Sequence, residues 1–301
     1  MTGVRKKRYS GVGERTSFSP LSVVMLVLLA VYTLVMFFLL IWGFLQSFND
    51  PETVNYFTGK SYALPEKWTF NYTGVFDRVK ISIETAGGQR DVLLPEMFFN
   101  SLLYSLGCAF TNTFVSCIMA YMCAKYKNKV SSIIYGIVIV TMVIPIVGNL
   151  PSEMKMARTF NLHDKIWGLW IMRANFLGMY FLIFYAAFQG LPDAYNEAAK
   201  IDGASNFTIL FRINMPLVRN LFMTILLVVF INFWNDYQTP LLYMPSYPTA
   251  ALGLYQFKLL PTSTIPDVMT AAMMILIPVL ILFLIFHKKL LGNLTIGGIK
   301  G

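Results

Sequence analysis

The sequence predicts an all-α membrane protein of six transmembrane helices with both ends of the chain on the cytoplasmic side. Three observations carry that expectation. Of 301 residues, 56% are hydrophobic and only 13% charged, where a soluble domain carries roughly 25% charged residues. Six apolar segments meet or approach the roughly 20 residues that a bilayer core requires. The basic residues gather in the connections that would then share one side, as they do on the cytoplasmic side of membrane proteins.

The first segment, 21–45, follows a basic tail, 1–20. It exceeds the 7–15 residues of a signal-peptide core and no small-x-small cleavage site follows, so it reads as a retained helix. An outer loop, 46–97, leads to the second segment, 98–124. The third, 133–147, is the shortest. The fourth, fifth and sixth run over 166–188, 217–234 and 268–286, and a tail, 287–301, closes the chain. Each must be helical, because lipid offers an unpaired backbone group no partner. Pro145 and Pro278 fall inside the third and sixth segments and should bend or open them.

More than half of the 24 Lys and Arg, including Lys125, Lys127, Lys129, Lys288 and Lys289, lie in the segments placed inside. The net charge of +9 therefore reads as membrane topology, and no basic, aromatic-interleaved module suggests nucleic-acid binding. Cys108, Cys117 and Cys123 share the second segment. A helical rise separates the nearest pair by about 9 Å, too far for a disulfide.

Soluble chemistry finds no site. Gly59-Lys60-Ser61 ends like a phosphate-binding loop, but Val54 stands where the first glycine belongs. After Gly11-Val12-Gly13, Thr16 replaces the third glycine of a dinucleotide fingerprint. His163 and His287 fall on opposite sides of the membrane, which leaves neither a metal pair nor a catalytic dyad. No cofactor, metal or catalytic residue is expected. The centres of the six segments also hold no charge, so a secondary transporter or channel subunit with an internal charge relay is the weaker alternative.

Polar residues inside the segments follow helical spacing. Ser101, Ser105, Cys108, Asn112 and Ser116 share one face of the second. Asn232, Asn235, Asp236 and Thr239 recur on the fifth, and Asn175, Gly178, Tyr185 and Gln189 on the fourth. Packing between helices is the favoured reading of the first stripe. Tyr185, Asn232, Asn235 and Asp236 are the candidates for a hydrophilic solute path.

The most informative stretch is 190–217, GLPDAYNEAAKIDGASNFTILFRINMPL. Pro192 can open a short helix and Gly203 can close it in the left-handed conformation. Ala198 and Ala199 leave one flank almost without bulk. With Glu197, Ala198, Ala199, Asp202, Gly203 and Pro216, this stretch resembles the EAA loop of ABC importer permeases. Four further stretches resemble their carbohydrate-transporting branch, the maltose-permease-like group. They are Pro65–Tyr72, similar to that family's P-x-x-W-T-x-x-N-Y but one residue shorter after Thr69; Asn100-Ser101-Leu102; Phe233-Trp234-Asn235-Asp236-Tyr237; and the end of the chain, NLTIGGIKG. The outer stretch 77–95 is longer than the family's version and should fold as a small hairpin.

The resemblance implies a type I ABC importer transmembrane domain in a bacterial inner membrane, taking up sugars or oligosaccharides by alternating access. It implies a second homologous permease subunit, an ABC ATPase dimer that carries out ATP hydrolysis, an extracytoplasmic solute-binding protein, and surrounding membrane lipid as partners. Within it, Glu197 anchors the coupling helix, Ala198 and Ala199 allow close docking, and Asp202 and Gly203 close the helix. The tail residues Thr295, Gly297, Gly298 and Lys300 reach between the ATPases. Import of a non-sugar solute is the alternative within the same machine.

Overall fold

The computed structural model describes residues 19–51, 65, 67–85, 87–144 and 148–294, without the side chains of Thr85 and 287–294. Helix α1, Pro20–Gln46, is capped by Ser19, whose hydroxyl accepts from the Ser22 amide, and Pro20 takes the first-turn position where its missing N–H costs nothing. It is apolar all round and exposed along its length, meeting the bundle only near its end, where Gly43 and Gln46 are buried. That end is tied down by the Pro65–Tyr72 stretch. The Asn71 amide donates to the carbonyls of Ser47 and Asn49 at 3.0 and 2.8 Å, and Tyr72 and Ser47 share a hydroxyl contact of 2.8 Å. The Thr270 hydroxyl adds a third donor to Ser47, at 3.0 Å. The terminal carbonyls that the helix itself leaves open are met by the Ser47 hydroxyl, which donates to Phe44 at 2.6 Å, and by the amides of Ser47, Phe48 and Asn49.

Short helix α2, Tyr72–Arg78, leads into an antiparallel hairpin, β1, Lys80–Thr85, and β2, Gly88–Leu93. The hairpin expected in the outer loop is thus present, and it qualifies the all-α expectation. Ile81, Ile83 and Val92 turn inward onto Leu252 and Phe257, which fixes the register, since a one-residue slip would turn the opposite set inward.

Helix α3, Leu94–Lys125, is the central post, about 48 Å long at 1.5 Å per residue. Around it lie α4, Lys129–Val143; α5, Leu150–Thr159; α6, Ile166–Met172; and α7, Met179–Gln189. They are followed by α8, Ala194–Ile201; α9, Asn206–Thr208; a π-helical turn, Ile209–Asn214; and α10, Met215–Leu217. The chain continues through α11, Arg219–Trp234; α12, Gln238–Tyr243; α13, Ala250–Phe257; and α14, Ile265–Leu294. α3 packs along α11 and α7, with Phe181, Phe184, Phe188, Phe230 and Trp234 in the main core.

Among the described residues, α1, α3 and α14 are long and apolar enough to cross a membrane, and α9–α11, bent by 76° at Val218, make a fourth candidate. The third expected segment is α4, which ends before Pro145. The fourth is not one helix: it breaks between Met172 and Met179. α14 runs on through Pro278 and past the expected end of its segment to Leu294.

The break in the fourth segment explains part of the polar stripe of α3. The Asn112 amide donates to the Arg173 carbonyl at 3.0 Å, and the Ser116 hydroxyl to the Asn175 carbonyl at 3.2 Å. Thr111 donates to the Trp170 carbonyl at 2.9 Å, and the Trp170 indole donates back to Leu103 at 3.1 Å. Ser101 accepts from the Ala250 amide at 2.8 Å, and Asn100 donates to the Pro248 carbonyl at 3.1 Å. The carbonyls of Trp170, Arg173 and Asn175 are ones that a continuous helix over 166–188 would have satisfied internally. The stripe is helix packing of a specific kind.

Close packing of α6 against the turn before it singles out Gly168. A Cβ there would fall 2.1 Å from the Leu162 carbonyl oxygen, whereas one at Gly136 on α4 meets nothing within 4 Å. Gly168→Ala is expected to lose about 1–3 kcal/mol by overpacking against immovable backbone. Gly136→Ala should be neutral or stabilising, since it removes a helical glycine. Melting curves of the two purified variants in detergent check this; equal midpoints would mean that the 162–168 contact is not rigid.

Candidate functional site

The loop 190–217 folds as a short, exposed helix held at both ends. At its entrance, Lys125, the last residue of α3, donates from Nζ to the Leu191 carbonyl and to Asp193 Oδ1, each at 2.7 Å. The Lys125 side chain is only 5% exposed. Asp193 holds the N-cap position of α8 but makes no side-chain cap, because its carboxylate is engaged by lysine. That hydrogen bond also lowers the Asp193 pKa. The contribution is therefore present above the unfolded pKa of an aspartate and is lost as pH falls through the lowered value. Pro192 lies one residue before the cap and not at the first helical position.

At the exit, Gly203 has φ +78° and so adopts the expected left-handed conformation. Its amide donates to the Lys200 carbonyl at 3.0 Å, and the Ala204 amide reaches back to Ala199 at 2.9 Å. This paired pattern is a Schellman cap, with Asp202 as the last half-helical residue. A Cβ at Gly203 would meet nothing within 4 Å, so the requirement for glycine here is conformational and not steric.

A second clamp comes from the π-helical turn. Asn214 is buried and donates from Nδ2 to Asn196 Oδ1 at 2.8 Å and to the Ile209 carbonyl at 3.2 Å. Pro216 follows in the short helix α10. Its ring crowds the carbonyl four residues back, at Arg212, and the helix is widened over the turn that contains it. Such widenings recur at functional sites.

The two alanines divide. Ala199 is buried against the chain's own turn, and Ala198 faces outward beside Glu197. Glu197 sits in the first turn of α8, where the helix dipole favours a negative charge. The outward surface also carries Tyr195, Phe207 and Ile201, the last 86% exposed. An isoleucine so exposed on a rigid eight-residue helix marks an interaction surface when it sits among other apolar side chains.

The candidate path residues do not form one group. Asn232 and Asn235 lie with Val228 on an exposed face of α11; Asn232 donates to the Tyr180 hydroxyl at 3.2 Å and Asn235 to the Ile231 carbonyl at 2.9 Å. Asp236 turns inward. It accepts from the Tyr104 hydroxyl at 3.0 Å and from the Thr239 amide at 3.1 Å, closing the start of α12. Tyr185 packs between Phe181 and Tyr135 and accepts from the Gln189 amide at 2.9 Å. Nearby, Arg173 pairs with Glu153 at 3.1 Å and meets the Thr239 hydroxyl at 3.4 Å.

Sequence reasoning missed Lys125 as a clamp, counting it only toward topology. It also missed Asn196, Asn214, Tyr180 and Glu153. An asparagine inside the apolar run ILFRINMPL was the available signal for Asn214, because a buried amide demands partners. The tail residues Thr295, Gly297, Gly298 and Lys300 lie outside the described residues.

A family model described as the binding-protein-dependent transport system inner membrane component matches residues 112–292. The chain belongs to this family. The match runs from the middle of α3 nearly to the end of α14 and contains the whole clamped loop. This inner-membrane component is also similar to the arabinooligosaccharides transport system permease protein AraQ of Bacillus subtilis, 30% identical over 68% of this chain and 73% of that protein. The lactose transport system permease protein LacG of Rhizobium radiobacter is 26% identical over 78% and 83% of the two chains. The melibiose/raffinose/stachyose import permease protein MelC of Bacillus subtilis is 25% identical over 69% and 77%. In fold, the chain matches a crystal structure of a bacterial ABC transporter involved in the import of the acidic polysaccharide alginate, with a TM-score of 0.69, 21% identity, and coverage of 89% of this chain and 95% of that one. The chain is a multi-pass inner-membrane transport component with the ABC importer permease fold.

If Lys125 anchors the entrance of α8, Lys125→Met keeps the buried stem and removes both hydrogen bonds. Amide hydrogen exchange over 191–204 is then expected to quicken by about tenfold, with α3 itself unchanged. Unaltered exchange in that window would remove the clamp from the account.

Proposed function

We propose that this chain is the membrane-spanning permease subunit of an ATP-driven, binding-protein-dependent importer of sugars or oligosaccharides, with six spans and both ends inside. The observation that carries this reading is the clamped helix α8. A rigid, outward-facing helix tied to α3 through Lys125 and to the base of α11 through Asn214 is suited to convert a push from a partner into movement of the bundle. The partner is a separate ABC ATPase dimer, which hydrolyses the ATP. Sugar as the solute class is supported by relatives whose names concern arabinooligosaccharides, lactose and the raffinose series.

In this mechanism Glu197, Ala198 and the exposed Ile201 face the ATPase, and Gly203 and Asp202 hold the helix end in register. Ala199 lies on the inner side and seats the helix on its own turn. The tail residues Thr295–Gly301 reach the ATPases from the end of α14. A second homologous permease covers the exposed face of α11, so that Asn232, Asn235 and Tyr180 border a shared path. Asp236 and Tyr185 act one layer back, holding the bend after α11 and the packing of α7 on α4. Opening and closing then alternates about breaks already present in the fold, at 173–178, at Val218 and at Asn235.

The coupling role is tested by Gly203→Asp and Glu197→Lys in the assembled transporter. The first imposes an L side chain on a positive φ, costing about 1–2 kcal/mol; the second reverses the charge offered to the partner. Substrate uptake is expected to fall at least about tenfold with normal membrane insertion, because no spanning segment is touched. Wild-type uptake and ATPase co-purification in both variants would end the coupling assignment.

The path face is tested separately. Asn232→Leu and Asn235→Leu are expected to reduce uptake by about tenfold while the ATPase stays bound, since sugar hydroxyls need polar partners. Undiminished uptake in both would reassign this face to packing.

A further inference from the structure

The hairpin that precedes α3 leaves one edge unused, and a groove follows that edge. The loop between the strands is Ala86-Gly87, so Thr85 and Gly88, which flank it, form a hydrogen-bonded pair. Pairs then alternate along the ladder. Ile83–Arg90 and Ile81–Val92 are bonded pairs, whereas Lys80, Ser82 and Glu84 turn their N–H and C=O groups away from β2. Among the described residues, no hydrogen bond engages the Ser82 or Glu84 backbone on that outer side.

Beside this edge lies a groove of about 570 Å³, bordered by β1 on one side and by Leu241, Leu252, Gln256 and Phe257 on the other. Lys80 and Glu84 are the charged residues that line it. Lys80 pairs with Asp91 at 2.6 Å, and Arg90 with Glu96 at 2.7 Å. What remains is a row of free backbone donors and acceptors at Ser82 and Glu84, facing a wall that mixes Leu241, Leu252 and Phe257 with the polar Ser246 and Gln256. A sugar or an ion offers no match to a row spaced at the repeat of a strand. An extended polypeptide does, because it supplies the third strand's hydrogen bonds and places alternate side chains against the wall.

We propose that this groove binds an extended segment of the solute-binding protein by strand addition to β1. The choice of partner rests on the importer reading above. β2 runs directly into the start of α3, and Lys125 at its other end holds the coupling helix, so groove and ATPase-facing helix are about 48 Å apart on opposite faces. With the coupling helix inside, the groove opens where the binding protein arrives. The hairpin also lies outside the part of the chain that matches the family, 112–292, which fits an element that recognises one particular partner and not a component common to all.

The experiment uses the transporter reconstituted with its ATPase and second permease, and follows ATP hydrolysis as the solute-binding protein is titrated in. Glu84→Pro removes one outward N–H and no hairpin hydrogen bond, which an edge strand tolerates. Gln89→Pro does the same on β2, at the edge away from the groove. Glu84→Pro is expected to raise the half-maximal concentration by about tenfold or more, and Gln89→Pro by less than about twofold. A photoreactive side chain at Gln256 is expected to cross-link to the binding protein. An unshifted Glu84→Pro titration, an equal shift in Gln89→Pro, or cross-links to this chain's own segments or to the second permease each overturn the proposal. A wild-type complex that no binding protein stimulates defeats the importer reading itself, and is read from the wild-type arm alone.

Discussion

Every broken or bent span in this fold depends on one constraint: inside a membrane, a backbone group that loses its helical partner must find another within the protein. α3 supplies those partners. Asn112 and Ser116 take the carbonyls at the break between α6 and α7, Thr111 and Trp170 exchange bonds with each other's backbone neighbourhood, and Ser101 and Asn100 hold the start of α13 and the residue chain before it. Without these side chains the fourth segment would have to be one straight helix. With them, α6 and α7 can meet at an angle, and a chain made almost wholly of apolar residues acquires fixed joints.

Fixed joints give the clamped helix its mechanical meaning. α8 is eight residues long, too short to be a stable helix alone. Its two side-chain clamps act at its N-terminal end: a buried lysine on α3 holds Asp193, and a buried asparagine on the π-helical turn holds Asn196. Asp193 gives up its capping role to the lysine, and the Schellman cap at Gly203 compensates at the opposite end. The helix is therefore bonded to two different parts of the chain, α3 and the turn that precedes α10 and α11. The turn that holds Asn196 leads through α10 to the 76° bend at Val218.

The end of α11 shows the same economy of polar groups in a different arrangement. Asp236 looked like a lining residue because it sits beside Asn235 at the end of an apolar run. Its carboxylate instead accepts from Tyr104 and caps α12, which leaves the asparagine amides and the Tyr180 hydroxyl on the open face. The charge is thus turned inward and the neutral amides outward.

The positions of most spans, the turn at Gly203 and the outer hairpin were legible in the sequence, because each follows from local chemistry. Apolar length dictates helix in lipid, a glycine after a short polar helix permits the left-handed cap, and a polar stretch around Gly87-Gly88 permits a turn. The short helix within 190–217 was legible too, since Gly203 stands where its left-handed end is needed. Which of Ala198 and Ala199 faces out, that Lys125 and Asn214 rather than Glu197 hold the helix to its own chain, and that Asp236 and Tyr185 point away from the face of Asn232 were settled only by tertiary structure. Helical period fixes the angle between residues of one helix. It says nothing about which neighbour that angle meets, and a side chain's partner 60 or 130 residues away is decided only when the helices pack.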